Sequence, residues 1–213
     1  MIETQMKLQS QLGQEKFVCQ SLNWLEKGYF VDIGAAHPIL INNTFFLERK
    51  LNWSGLSIDM GPENEHLTHC PEGLTKEAYM KLWEYERTCD FVCGDALEID
   101  YKKLFKEKNV PKIIDYLSVD LEPADVTLEA LKKLPFDEYQ FRIITFEHDL
   151  YRNHDENVKI LIEAREFLQQ FGLHAIDIEK SLPHNEYDIS KIRVQEDWFV
   201  NPSLIEGFVS PQQ

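Results

Sequence analysis

Acidic side chains stand at the ends of several apolar runs in this chain, and the first run carries the clearest signal. It ends in Val31-Asp32-Ile33-Gly34-Ala35-Ala36. Gly34 permits a tight turn, and Ala35 leaves room for a ligand close to the backbone. Asp32 would repel a pyrophosphate and attract a cationic amino group. Because the second and third glycines of the G-x-G-x-x-G pattern are absent, the turn does not predict a dinucleotide site.

The second and third runs end in residues that suit a nucleoside. Asp59 could accept hydrogen bonds from both hydroxyls of a ribose. It follows Gly34 by 25 positions (59 − 34 = 25), close to the roughly 20 of a βαβ unit. Asp95 and Ala96 follow the third run and could bond an adenine amino group and pack against its ring. Each of these residues alone could belong to an ordinary turn, so the indication of a nucleoside site comes from their order along the chain.

The fourth and fifth runs end in groups that could handle a proton or a cation. Asp120 and Glu122 are two positions apart and share a face if the strand extends that far. They could hold Mg²⁺, or Asp120 could take a proton. In the fifth run, His148 has an ordinary pKa of about 6.5 and is the predicted proton acceptor, with Asp120 as its rival and Glu147 as a further catalytic candidate. The alternatives are a solvated acidic loop and a structural histidine.

Short apolar runs alternate with amphipathic stretches, which predicts an α/β fold with a mostly parallel sheet and helices on both faces. The predicted strands are 29–35, 55–60, 90–94, 113–121, 141–147, 173–179 and 197–201, and the clearest helices are 14–26, 126–134 and 157–171. Segment 62–88 is long for one connection and predicts a helix plus an insertion near the ligand side. The whole chain, 1–213, is predicted to be one domain with a helical N-terminal segment at 1–27.

Charge and composition narrow the function classes. The 213 residues include 37 acidic and 22 basic ones, a formal net charge of −15, so nucleic acid is not the expected partner. No apolar stretch is long enough for a bilayer and no signal-peptide core is present, so we expect a cytoplasmic protein without membrane insertion. The four cysteines form no C-x-x-C pair and are expected to be reduced. His66-x-x-His69-Cys70 lacks the second half of a zinc site.

Several motifs in a fixed order resemble the FkbM-type S-adenosylmethionine-dependent methyltransferases. The matching segments are SQLGQEKFV at 10–18, GYFVDIGA at 28–35, NNTFFLE at 42–48, NWSGL at 52–56, DYLSVDLE at 115–122, FEH at 146–148 and EDWFV at 196–200. The chain departs from the family at Asp59, where glutamate is usual, at His37-Pro38, and at Pro123-Ala124-Asp125, which replaces Gly-x-Glu.

The resemblance implies a Rossmann-like class I methyltransferase with a seven-stranded sheet whose last strand is antiparallel. It also implies O-methylation of a sugar, glycan or related polyol, with S-adenosylmethionine as the donor. Asn43 and Thr44, at a helix N-terminus, could reach the methionine carboxylate. The predicted donor-binding residues are Asp32, Gly34, Ala35, Asn43, Thr44, Asp59, Asp95, Ala96 and Asp120.

Other functions stay open at this stage. The fold could bind S-adenosylmethionine or a partner without catalysis, since fold alone does not determine activity. The methyl acceptor could also be a natural product other than a sugar, and a homodimer is compatible with the sequence. An NAD-dependent dehydrogenase is the weakest alternative because of the missing glycines.

Overall fold

The computed structural model describes residues 8–63, 70 and 73–207. Strands and helices alternate along the chain as the apolar pattern predicts. The strands are β1 Tyr29–Ile33, β2 Ser54–Asp59, β3 Asp90–Cys93, β4 Ile113–Val119, β5 Gln140–Glu147, β6 His174–Ala175 and β7 Glu196–Val200. The helices are α1 Gln14–Ser21, α2 Phe45–Leu51, α3 Lys76–Glu86, α4 Tyr101–Glu107, α5 Ala124–Lys133, α6 His154–Gln169, α7 Ile178–Ser181 and α8 Ile189–Gln195.

The seven strands form one sheet in the order β3-β2-β1-β4-β5-β7-β6. Strands β1 to β5 pair in parallel, and β7 runs antiparallel to both of its neighbours, β5 and β6. Six strands therefore point one way and the last strand of the chain points the other way. The sheet is Rossmann-like with an antiparallel last strand, and the predicted fold class is confirmed.

Alternation along the strands builds a separate apolar layer on each face. In β1, Val31 and Ile33 belong to the cluster that α4, α5 and α6 cover, whereas Phe30 belongs to the cluster under α1, α2 and α8. Asp32 lies on the same face as Phe30. The acidic residues at the strand ends therefore emerge on a defined face of the sheet.

The sixth strand differs most from its prediction. The apolar pattern predicts a strand over 173–179, but β6 covers only His174–Ala175. Asp177 ends the extended segment because its side chain accepts a hydrogen bond from the Lys180 amide and caps α7. Helix α1 is also shorter than predicted and ends at Ser21.

The long connection between β2 and β3 contains the predicted helix, α3. Residues 64–69 and 71–72 lie outside the described part of the chain, and with them His66 and His69. Among the described helices, none has the length and apolar character needed to cross a membrane.

Candidate functional site

The candidate site lies where the order of strands reverses. Strand β1 is flanked by β2 on one side and by β4 on the other, so successive connections leave in opposite directions and open a crevice at the carboxyl ends of the strands. A cavity of about 310 Å³ occupies this position. Its lining includes Gly34, Ala36, His37, Asp120, Glu122, Glu147, Tyr151 and Arg152.

The turn after β1 is packed against the end of β4. Gly34 has a φ of +84°, and a Cβ at this position would come within 1.7 Å of the Asp120 carbonyl oxygen. The Asp120 amide donates to the Ile33 carbonyl at 2.9 Å, which continues the ladder between the two strands. Only glycine satisfies both the backbone conformation and the close approach.

Glu147 and Asp120 form a carboxyl pair in the wall of the cavity. Burial, followed by the negative charge of Asp120, raises the pKa of Glu147 far above its ordinary range. This environment favours the neutral form of Glu147. Its Oε2 atom is buried and has no hydrogen-bond partner among the described residues. The pair can thus hold one proton and still accept an incoming polar group.

Glu196 adds a third carboxyl group behind this pair. It is directly opposite Glu147 in the antiparallel β5–β7 register. The Trp198 indole Nε1 donates to Glu196 Oε1 at 2.6 Å. Burial raises the pKa of Glu196 to about 8, and the charge of Asp120 acts in the same direction. The carboxyl groups at this end of the sheet therefore favour their neutral forms or a cationic neighbour.

Arg152 supplies the positive charge at the mouth of the cavity. Its guanidinium bonds the Glu122 carboxylate, and its Nε lies 3.1 Å from Asp149 Oδ2 and 2.8 Å from the Tyr151 hydroxyl. Glu122 is thus already paired with a cation. In the described ranges, no group of three or more metal-ligating side chains is close enough to hold an ion. The structure therefore gives no support to the predicted Mg²⁺ site at Asp120 and Glu122.

His148 lies on the opposite face of the sheet from Glu147. It is fully buried, does not line the cavity, and its Nε2 is 3.8 Å from Asp197 Oδ1. Arg165 binds both oxygens of the same carboxylate, at 2.5 and 2.9 Å. Burial raises the pKa of Asp197, but His148 and Arg165 outweigh burial and hold this pKa below its ordinary value. This arrangement suits a positioning role for His148 better than direct contact with a substrate.

Asp32, Asn43 and Thr44 belong to a buried polar network. The Thr44 hydroxyl donates to Asp32 Oδ2 at 3.0 Å, and the Asn43 amide donates to the Ser118 hydroxyl at 3.0 Å. Burial raises the pKa of Asp32 to about 6, against the opposing charge of Arg87. The structure brings these predicted residues together, but their side chains bond other groups of the network and do not line the cavity.

Arg87 is the centre of that network, and it was not predicted from the sequence. Its side chain is fully buried and donates to Glu48 at 2.8 Å, and to the Pro38 carbonyl, Asn42 and Thr44 at 3.0 Å each. These partners precede Arg87 by 39 to 49 positions. Arg87 therefore fixes the loop between β1 and α2 against the start of β3.

Asp59, predicted to bind ribose, is already surrounded by donors. Its carboxylate accepts from the amides of Ala36 at 3.0 Å and Gly61 at 2.6 Å, and from the Tyr79 hydroxyl at 3.0 Å. The same hydroxyl is also within hydrogen-bond distance of the Ala36 carbonyl, so its one proton is shared between the two acceptors. Burial raises the pKa of Asp59. A ribose hydroxyl would have to share this carboxylate with Tyr79 or replace it.

The remaining predicted residues lie around the end of β3 and the β1 turn. Asp95 is exposed, and its Oδ1 accepts from the Leu97 amide at 2.8 Å. Ala96 is buried in the apolar layer, and its carbonyl accepts from Tyr101. Ala35 packs with Tyr79 and Trp83. Neither Asp95 nor Ala96 lines the cavity, so their adenine roles stay predictions.

Comparison with known proteins gives fold-level similarity. No protein-family model matches the chain, and no curated protein sequence matches it. An rRNA methylase from Streptococcus thermophilus is similar at 15% identity and a TM-score of 0.44, over 87% of this chain and 90% of that one. A SAM-dependent methyltransferase from Geobacter sulfurreducens, solved with S-adenosyl-L-homocysteine, is similar at 12% identity and a TM-score of 0.45, over 93% of both chains. A precorrin-6y C5,15-methyltransferase from Geobacter metallireducens reaches 11% identity and 0.44, over 87% of this chain and 85% of that one.

These similarities are too distant to transfer a substrate or a residue role. They also give no sequence support for the FkbM family in particular. The sheet order and the antiparallel last strand define the fold independently of them. The functional argument therefore depends on the residues at the end of the sheet.

Proposed function

We propose that this protein is an S-adenosylmethionine-dependent O-methyltransferase that acts on a hydroxyl group of a sugar or related polyol. The observation that carries the proposal is the Asp120–Glu147 pair beside the Gly34 turn, at the strand-order reversal of a methyltransferase-type sheet. Ligands of open α/β sheets bind at this point. A carboxyl pair there meets the need of O-methylation for a proton acceptor.

The chemistry of the cavity fits a cationic donor. S-adenosylmethionine carries a positive sulfonium and a positive amino group, and Asp120 places a carboxylate in the cavity wall beside Glu147. The unpartnered Glu147 Oε2 is available to a hydrogen-bond donor. Gly34 and Ala36 would lie along the methionine part and Asp59 would hold the ribose, with Asp95 and Ala96 near the adenine. Asp32, Asn43 and Thr44 would act by holding this loop in place.

When bound, the donor supplies an electrophilic methyl group, whose bond to sulfur breaks with its electron pair left on sulfur as the bond to oxygen forms. The chain's own residues align the hydroxyl for attack and remove its proton. Asp120 is the proposed proton acceptor because its neighbour Glu147 favours the neutral form. Glu147 then stabilises the carboxyl pair because it shares a proton with Asp120. His148 stays the alternative base from the sequence, although its ring faces Asp197.

Two measurements on the full chain test the proposal. Calorimetric titration with S-adenosylhomocysteine should show binding, and transfer of a labelled methyl group should be detected in a screen of monosaccharides and polyols. Asp120→Asn should lower turnover at saturating methyl donor by about 10²-fold or more, the usual contribution of a general base. His148→Asn is the matched variant that tests the alternative base.

The outcomes separate the hypotheses. If the unaltered protein does not bind S-adenosylhomocysteine, the proposed function is wrong. Binding without transfer to any hydroxyl compound would support a non-catalytic donor-binding protein. Transfer to an RNA fragment in a parallel reaction, and not to polyols, would overturn the assignment of the methyl acceptor. Full activity of Asp120→Asn together with inactivity of His148→Asn would reassign the base.

A further inference from the structure

A second cavity lies next to the candidate site and shares a wall with it. Its volume is about 590 Å³, and it lies between the first turns of α5 and α6. Glu122 and Arg152 line both cavities. A molecule in the second cavity would therefore lie beside the Asp120–Glu147 end of the sheet, separated from it by one ion pair.

Asp149 lies in the wall of this second cavity and has one buried carboxylate oxygen without a hydrogen-bond partner among the described residues. The residue is only 2% exposed, yet it is part of the cavity lining. Its Oδ2 lies 3.1 Å from Arg152 Nε, and its Oδ1 has no hydrogen-bond partner among the described residues. Buried carboxylate oxygens are normally paired. A hydrogen-bond donor on a bound molecule, such as a hydroxyl group, would provide the missing partner of this oxygen.

The backbone holds Asp149 in this position. Its φ is +50°, in the left-handed region that aspartate and asparagine tolerate better than most residues. Its amide donates to the Gln195 carbonyl at 2.9 Å, and its own carbonyl accepts from the Asn157 side chain at 2.8 Å. The carboxylate is thus fixed before any ligand arrives, which lowers the entropic cost of binding.

The other walls indicate a ligand that has an apolar face and no negative charge. Pro123, Ala124 and Ile160 provide apolar surface, and the carboxyl groups of Glu122, Asp125, Asp149 and Glu156 outnumber the two cations, Arg152 and Lys159. Arg152 is not a free anion-binding group, because Glu122 and Asp149 already pair with it. A hydroxylated ring, with an apolar face and hydroxyls at its edge, matches both the apolar wall and the open Asp149 oxygen.

We infer that the second cavity is the methyl-acceptor subsite, which takes a neutral hydroxylated ring and bonds one of its hydroxyls to Asp149. This inference rests on the proposed function and names the substrate class of the same site. Arg152, at the shared wall, would set the boundary between the methyl donor and the methyl acceptor.

Nuclear magnetic resonance titration of the full chain tests the subsite without any turnover. The probe is methyl α-D-glucopyranoside, with inorganic phosphate as a parallel probe. The glucoside should shift the Asn157 side-chain amide and the Arg152 Nε–H signal. Asp149→Asn, which suits the left-handed backbone, should weaken glucoside binding by about tenfold, the effect of one hydrogen bond to a charged group.

Two further variants control the result. Asp155→Asn changes a fully exposed aspartate on the same helix end and should leave glucoside binding unchanged. Ile160→Trp should fill the cavity and block the glucoside without removing a polar group. Neither Asp149→Asn nor Ile160→Trp should change the affinity for S-adenosylhomocysteine.

The inference is overturned if the glucoside shifts no signal at this cavity, or if it binds Asp149→Asn and the unaltered protein equally well. Shifts produced by phosphate and not by the glucoside would also overturn it, since they would indicate an anion site. Failure of the unaltered protein to bind S-adenosylhomocysteine would be a failure of the proposed function, and the glucoside titration reports on the subsite separately.

Discussion

The carbonyl oxygen of Asp120 lies 1.7 Å from where the β-carbon of any other residue at position 34 would stand. This relationship joins the turn after β1 to the end of β4, the two strands on either side of the strand-order reversal. The position of the Asp120 side chain therefore depends on the absence of a side chain at Gly34.

Gly34→Ala should disturb both strand ends. The substitution adds a steric clash with backbone to the cost of a positive φ, so we expect a loss of about 3 kcal/mol or more in the free energy of unfolding. Urea denaturation measures it. Gly94→Ala is the matched control at the end of β3, because an added Cβ there meets nothing within 4 Å. Equal stability of the two variants would contradict the close approach.

Arg87→Met should destabilise the protein by about 3 to 5 kcal/mol, because it leaves the Glu48 carboxylate buried without its cation. The double variant that also carries Glu48→Met should recover part of this loss. Arg193→Met, which breaks an exposed pair with Glu179, should change stability by no more than about 0.5 kcal/mol. Thermal unfolding compares the three. If Arg87→Met alone lowers stability only slightly, Arg87 is not the centre of the buried polar network.

Asp59→Ala should weaken binding of S-adenosylhomocysteine by about tenfold or more, because a ribose would lose its charged acceptor. Calorimetry gives the affinity. Asp90→Ala is the control, since Asp90 is an aspartate at the opposite, amino end of its strand and pairs with Lys108 on the surface. Unchanged affinity in Asp59→Ala would show that the carboxylate serves only Ala36, Gly61 and Tyr79.

Glu196 should make stability fall as pH rises. Its ordinary pKa of 4.5 is raised to about 8 in the folded protein, so the folded state keeps a proton that the unfolded state releases. This contribution is fully present below pH 4.5 and is lost as pH rises through about 8.

Glu196→Gln keeps an acceptor for the Trp198 indole and should reduce the slope of the unfolding free energy against pH within this window. Chemical denaturation across the range measures it. Glu163→Gln, at an exposed glutamate on α6, should retain the slope of the unaltered protein. If Glu196→Gln had the same slope as the unaltered protein, the raised pKa of Glu196 would be refuted.

The strand ends were predictable because they depend on local patterns. Asp32, Asp59 and Asp120 each follow an apolar run, and parallel strands bring their carboxyl ends to one edge. The antiparallel last strand came from the resemblance of motifs rather than from the apolar pattern. The observed sheet has the antiparallel last strand and the parallel strands that these two predictions describe.

The roles of individual side chains were less accessible. Glu147 and His148 are neighbours in sequence, but strand alternation sends them to opposite faces, and only Glu147 lines the cavity. Arg87 had no motif around it, because each of its partners lies 39 or more positions away. The length of β6 was overestimated because a helix cap at Asp177 interrupts an apolar run.

The two-residue strand β6 forms one border of the sheet. A border this short offers a neighbouring molecule almost no free backbone to pair with, which protects against sheet-to-sheet aggregation. Two copies of this chain that associate at this side must therefore do so through side-chain contacts, without extending the sheet.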